Sequence, residues 1–237
     1  MTALRLTVGY VAGVTPAKWA RTWAERHPEV PLLLQAISAA GAAEALRAGA
    51  VDVALLRPPV DTSGLALINL YEETTTVVVP TDHLFSAVDT VAVADLDGEP
   101  ILIPRDNVVA WADDLEVQVD QRPETTKDAI ELVAAGIGAL IVPQSLARLH
   151  HRKDLIFRQI ADAPTCPVAL AVPEDQQSTL VEEFIGIVRG RKPNSSRGRS
   201  EPVPKRTARE KTLAKQAARA AAGKVARKPG RAGRGRR

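Results

Sequence analysis

Cysteine is nearly missing: Cys166 is the one thiol in 237 residues. No internal disulfide can close, and without a second cysteine nearby there is no metal knuckle. A packed thiol is the expectation. Long apolar runs are missing too. No stretch of about 18 apolar residues occurs, and the opening "MTALRLTVGY" has neither the apolar core nor the cleavage site of a secretory leader. The expected compartment is the cytoplasm, and no membrane is expected as a partner. G-x-S-x-G, Walker A, G-x-G-x-x-G and metal-binding histidine spacings are absent as well. His27, His83, His150 and His151 are scattered through loops, and Cys166 stands between Thr165 and Pro167 with no identifiable base. An enzyme is therefore not expected, and no metal or cofactor is implied.

What is present divides sharply by charge. The formal net charge of +3 conceals a body, residues 1–188, with 13 basic and 26 acidic side chains, and a terminal segment, 189–237, with 18 basic and 2 acidic ones. An acidic body of −13 thus carries an arm of +16, the pattern of a folded unit joined to a polyanion-seeking extension. With 45% hydrophobic residues the body can bury a substantial core.

Along the body, strand and helix signals alternate. "LRLTVGYV" is a β-rich run. Thr15 and Pro16 have the character of an N-cap and first helical residue, opening a helix that should stop near His27 and Pro28. "VPLLLQAI" predicts a second strand, a helix over about 42–48 should end at Gly49, and "VDVALL" is a strand apolar on both faces. This βαβαβ order predicts a parallel sheet. Further strands are expected at "TTTVVVP", "LEVQVD", "ALIVP", "DLIFRQI" and "CPVALAVP", with helices over about 126–135, 144–149 and 179–189. The last should carry Leu180, Phe184, Ile187 and Val188 on its apolar side. There is no internal repeat.

The combination of "LRLTVGYVAG", "LRAGAVDVALLRPP", "TTTVVVPTDHLF", "VAVADLDGEPILIPRD", "ELVAAGIGALIVPQSLARL" and "PVALAVPEDQQSTLVEEFIGIVR", in this order, resembles the effector-binding domain of LysR-type transcriptional regulators over about residues 3–189. The resemblance implies an α/β fold, a two-lobed periplasmic-binding-protein-like (type 2) domain with mixed sheets flanked by helices. It spans residues 1–189, with lobe I over 3–79 and 168–189 and lobe II over 80–167. A small, usually anionic effector, a carboxylate among the candidates, would sit between the lobes at the strand ends. The family carries a winged helix-turn-helix ahead of this domain; the expectation here is a chain that starts at the first strand.

Arg57, at the end of the third strand, would lie at that cleft, where its fork could clamp a carboxylate; alternatively it pairs with an Asp or Glu, Asp61 being one choice. Thr15 could offer its hydroxyl and the helix N–H groups to an anion, or simply cap the helix. Ser38 faces the cleft by resemblance, although "SAAGAAEAL" has lost the family's donors. Thr125 and Thr126, opening a second-lobe helix, match a position that reaches effectors and would serve equally as caps. Gly13 permits close backbone approach. Trp19 and Trp23, four apart on the first helix, share one face; they pack in the core or, as the family implies, line a homodimer interface against the helix near 126–135.

The terminal segment, 190–237, has too few large aliphatics to fold alone and is expected to be disordered. Its basic residues Lys205, Arg206, Arg209, Lys211, Lys215, Arg219, Lys224, Arg227, Lys228, Arg231, Arg234, Arg236 and Arg237 are suited to DNA or RNA phosphates with little sequence preference. "KVARKPGRAGRGRR" resembles the arms of histone-like proteins. The expected function is a LysR-like effector sensor with a nucleic-acid-binding tail, acting in transcription regulation or at the nucleoid. The rivals are a stand-alone binding module and a ligandless protein-interaction domain.

Overall fold

The computed structural model describes residues 4–191, apart from 116–118, 120–121 and 176–177. The predicted basic tail residues and most of the predicted strand "LEVQVD" lie outside the described residues. Two five-stranded mixed sheets are flanked by helices, as expected. The first is built by β1 (Leu6–Tyr10), α1 (Ala17–Arg26), β2 (Leu32–Ala36), α2 (Ala42–Arg47) and β3 (Val53–Leu56), with β1 pairing in parallel to β2 and β3. Every residue of β3 is buried, as its continuous apolar run requires. The turn after α2 shows why a glycine follows it: Gly49 holds φ +67° while Gly49 N–H donates to Leu46 O at 3.0 Å and Ala50 N–H to Ala45 O at 2.9 Å, a Schellman closure.

The chain next enters β4 (Leu65–Glu73), then, after Thr74 alone, β5 (Thr75–Pro80). β4 was not expected. It forms the outer strand of the first sheet beside β10 (Cys166–Pro173), in the order β2-β1-β3-β10-β4. The second sheet runs β6-β9-β5-β8-β7, with β6 (Thr90–Val91), β7 (Ile101–Leu102), β8 (Ala139–Pro143) and β9 (Leu155–Ile160). The strand at 75–80, placed with the first lobe from the sequence, is the centre of the second sheet, antiparallel to β8 and β9. Its alternation explains the position: Val77 and Val79 enter one core with Phe85 and Ile101, whereas Val78 enters the other with Leu102, Ile130 and Leu140.

α3 (Thr126–Ala134) and α4 (Gln144–Leu149) cover the second sheet, and α5 (Thr179–Val188) packs on α1. The buried side of α5 is Val181, Phe184, Ile185 and Ile187, and the half-buried Leu180 and Val188 pack against the same core. Trp23 is buried against Phe184 and His27, and its indole Nε1 donates to Val30 O at 2.8 Å. Trp19 is half-buried. No helix among the described residues is long and apolar enough to cross a membrane.

Candidate functional site

Two crossings join the sheets side by side: β4 to β5 through Thr74, and β9 to β10 through residues 161–165. At the first crossing stands the group that answers what Arg57 holds. Arg57 is 6% exposed. Its Nη1 donates to Ala12 O at 2.7 Å, and its Nη2 donates to Glu73 Oε2 at 3.1 Å and to Ser145 Oγ at 2.9 Å. The Ser145 hydroxyl donates in turn to the same Glu73 oxygen at 2.7 Å. Arg57 Nε is buried without a hydrogen-bond partner among the described residues. Arg57 follows β3 and Glu73 ends β4, both in the first sheet, whereas Ser145 lies in the first turn of α4, which packs on the second. The cluster therefore ties the two halves together.

Gly13 belongs to the same cluster. It takes φ +81°, and a Cβ there would stand 2.6 Å from Ser145 Oγ and 3.0 Å from Arg57 Nη2. The close backbone approach expected of this residue is a contact between the turn after β1 and α4.

Two cavities flank the cluster. One, of about 630 Å³, is lined by Tyr10, Thr15, Tyr71, Thr74, Gln144 and Arg148 among others, and by all three partners of Arg57: Ala12, Glu73 and Ser145. The chain has only two tyrosines, and each lines this cavity. Burial, then the neighbouring Glu73 carboxylate, pushes the Tyr71 phenol above its usual range, with Arg57 opposing. The other cavity, of about 380 Å³, is lined by Arg57 itself with Ala39, Ala40, Pro58, Pro59, Arg105, Asp106 and Asn107 among others. The ion pair contributes to both, Glu73 lining the first and Arg57 the second.

Of the residues singled out in the sequence, Gly13 and Thr15 line the first cavity and Arg57 the second. Thr15 is exposed, and α1 is preceded by Pro16 with no side-chain cap, so the expected threonine cap does not form. Ser38 and Thr125 are exposed, and neither they nor Thr126 line either cavity. Ser38 Oγ accepts from Gly41 N–H at 3.1 Å, holding the turn into α2. Thr125 caps α3, accepting from Asp128 N–H at 3.1 Å while Asp128 bonds back. Thr126 is buried and donates to Asp106 Oδ1 at 2.9 Å. Asp61, the suggested partner of Arg57, instead pairs with Arg47 at 2.8 Å.

Sequence reasoning missed Glu73 and Ser145. A usable signal was present: from 58 to 104 there is no Lys or Arg, so a buried Arg57 had nearby carboxylates at Asp61, Glu72 and Glu73 and no competitor for them. Cys166 is buried, with its sulfur 3.3 Å from Thr75 Oγ1, the packed thiol expected. Burial raises its thiol above the ordinary value, opposed by the Thr75 hydrogen bond. No group of three or more His, Cys, Asp or Glu side chains among the described residues could hold a metal ion.

A family model described as the LysR substrate binding domain matches residues 2–193. The chain is 25% identical over 196 residues to the HTH-type transcriptional regulator AlsR of Bacillus subtilis, covering 77% of this chain and 65% of that one. It is 26% identical over 183 residues to the Hca operon transcriptional activator HcaR of Escherichia coli, covering 70% and 60%. The chain thus spans less than two thirds of either relative. Among solved structures, the BenM effector binding domain with its effector benzoate superposes with a TM-score of 0.69 at 22% identity, over 80% of this chain and 92% of that one. At that identity the likeness shows the fold.

Proposed function

Because the chain belongs to the LysR substrate binding domain family over residues 2–193, we propose that it is a non-catalytic regulatory sensor. In this reading a small polar effector lies between the two sheets beside Arg57, and the basic tail holds nucleic-acid backbone. The observation that carries the sensing half is the pair of cavities around a buried arginine. Their sizes suit a small ligand, the positions are those of strand ends in α/β sheets, and one donor, Arg57 Nε, has no partner of its own. The relatives AlsR and HcaR are transcriptional regulators, and the BenM domain was solved with an effector; both facts support regulation through a bound ligand. The tail half rests on charge: 18 basic against 2 acidic residues over 189–237 favours phosphate backbones through counterion release.

A homodimer belongs to the same proposal. β2 is an outer strand, Leu33 and Leu34 on it are 44% and 42% exposed, and the half-buried Trp19 lies on the neighbouring α1. Sedimentation showing a monomer at micromolar concentration would remove that part. The sensing half is tested by a thermal-shift ligand screen on the whole chain. A binder should raise the melting temperature, and the shift should vanish in Gln144→Ala or Tyr71→Ala. No binder dependent on those residues across a broad metabolite panel would leave a ligandless interaction domain.

A further inference from the structure

We infer that Glu73 is an internal occupant of the Arg57 fork: a carboxylate carried by the chain itself, which fills the place an anionic effector would take and holds the two halves of the cleft together. This rests on the cleft being the effector site, as proposed above, although its test needs no effector. An arginine offers five N–H donors in a fixed fork. Here one Nη1 N–H goes to Ala12 O and the two Nη2 N–H groups go to Glu73 and Ser145, which leaves the Nε N–H and the second Nη1 N–H. The guanidinium and carboxylate side chains are 2% and 9% exposed. The buried pair is neutral as a unit, so no surplus positive charge remains to draw an anion out of water, and the desolvation of the arginine is already offset. A carboxylate ligand would have to displace Glu73 and leave that charge buried without its partner.

The attachment points say what displacement would do. Glu73 is two residues from the start of β5, where the chain enters the second sheet, and Ser145 accepts from Arg57 while donating to Glu73. Removing the carboxylate therefore takes away one corner of a triangle whose other corners lie on opposite sides of the cleft. It also changes the lining that the cluster gives to both cavities, since Glu73 and Ser145 line one and Arg57 the other. Glu73 thus determines specificity. While it sits in the fork, the ligands admitted are those that bring a single acceptor to the remaining Arg57 N–H groups or hydroxyl-bearing groups to Tyr10, Thr15 and Gln144, not free carboxylates clamped through Nη2.

The test is rescue by a free carboxylate, read on the full chain. Glu73→Ala vacates the fork, and sodium acetate or formate then supplies the missing group. Against sodium chloride at matched ionic strength, acetate at about ten times its dissociation constant should raise the melting temperature of Glu73→Ala by about 3 to 6 °C. The wild type should show no such difference, and neither should Arg57→Met/Glu73→Ala, which has no fork to fill. If Glu73→Ala does not fold, Glu73→Ser also vacates the fork while keeping a small polar side chain; it should respond to acetate or formate where the wild type does not. Equal responses of wild type and Glu73 variants, or variants that respond no more to carboxylates than to chloride, would overturn the inference. The outcomes separate it from the reading it rests on. Acetate rescue alongside an empty metabolite screen upholds Glu73 and sinks the effector. A carboxylate that binds the wild type and is lost in Arg57→Met upholds the effector and sinks the occupant.

Discussion

Gly13→Ala tests whether the two halves of the cleft are locked in the arrangement described. The substitution asks a turn with φ +81° to carry a side chain, and it places a Cβ 2.6 Å from Ser145 Oγ, 3.0 Å from Arg57 Nη2 and 3.1 Å from Leu146 Cδ2. The backbone term alone is about 1–2 kcal/mol. Contact at 2.6 Å cannot persist, so the Ser145 hydroxyl must swing away or α4 must move, and either motion strains the bonds to Arg57 and Glu73. Each is charge-assisted, about 1.5–3 kcal/mol if fully lost. With one such bond lost, the expected destabilisation is about 2.5–5 kcal/mol, read from urea unfolding of the full chain by tryptophan fluorescence. Ser145→Ala removes the nearest atom in advance. A double-mutant cycle should therefore show the pair less destabilised than the sum of the singles by about 1–2 kcal/mol. A loss below about 1 kcal/mol for Gly13→Ala, or strict additivity in the cycle, would mean that Gly13 and Ser145 do not meet as described.

Trp23→Phe should lower stability by about 1–3 kcal/mol, because it strands the Val30 carbonyl that the indole reaches at 2.8 Å and leaves a gap beside Phe184; a variant as stable as wild type in urea would refute this. Deleting residues 192–237 should abolish duplex-DNA binding. For the whole chain, engagement of about 6–8 phosphates gives a slope of log affinity on log salt of roughly −5 to −7 with little sequence preference; salt-insensitive binding, or a truncated chain that binds as well, would refute the role of the tail. Alkaline pH should weaken the fold. The Cys166 thiol and Tyr71 phenol are held above their ordinary values of 9.0 and 10.0, so their contribution is complete below those values and is lost as pH climbs through the raised ones. A urea midpoint flat from pH 8 to 11 would contradict it, as would alkylation of native Cys166 at pH 8 as fast as in the denatured chain.

The opening β1 to β3 unit was legible because each of its signals is local. β1 and β3 are short and apolar, and the glycine at 49 closes α2 in the left-handed turn that such a stop requires. The family resemblance carried the two-lobed architecture further than periodicity could. What local pattern could not supply was the pairing of strands distant in sequence. β4 reads "LALINLYEE" with its burial only loosely alternating, the mark of an outer strand half open to solvent, and it abuts β5 with one residue between. Nothing in the run from 65 to 80 says that the chain changes sheets at Thr74, since either neighbour would accept the valines of β5.

The unexpected strand β4 and the unforeseen partner of Arg57 have one cause. Arg57 ends an entirely buried strand, so its charge demanded a partner that could also be buried. Asp61, close by in sequence, is exposed. In that setting a carboxylate near the arginine stays solvated and worth little. Once 65–73 is recognised as β4, with Cys166 of β10 beside Glu73 in register, Glu73 comes to the end of the sheet where β3 delivers Arg57, and it is covered from the other side by α4. The buried arginine, the glutamate ending β4, the glycine at 13 and the serine opening α4 then form one arrangement in which each residue type is required by the others. The guanidinium needs the carboxylate, the carboxylate needs the second donor that Ser145 provides, and α4 reaches it only because residue 13 has no Cβ to block the approach.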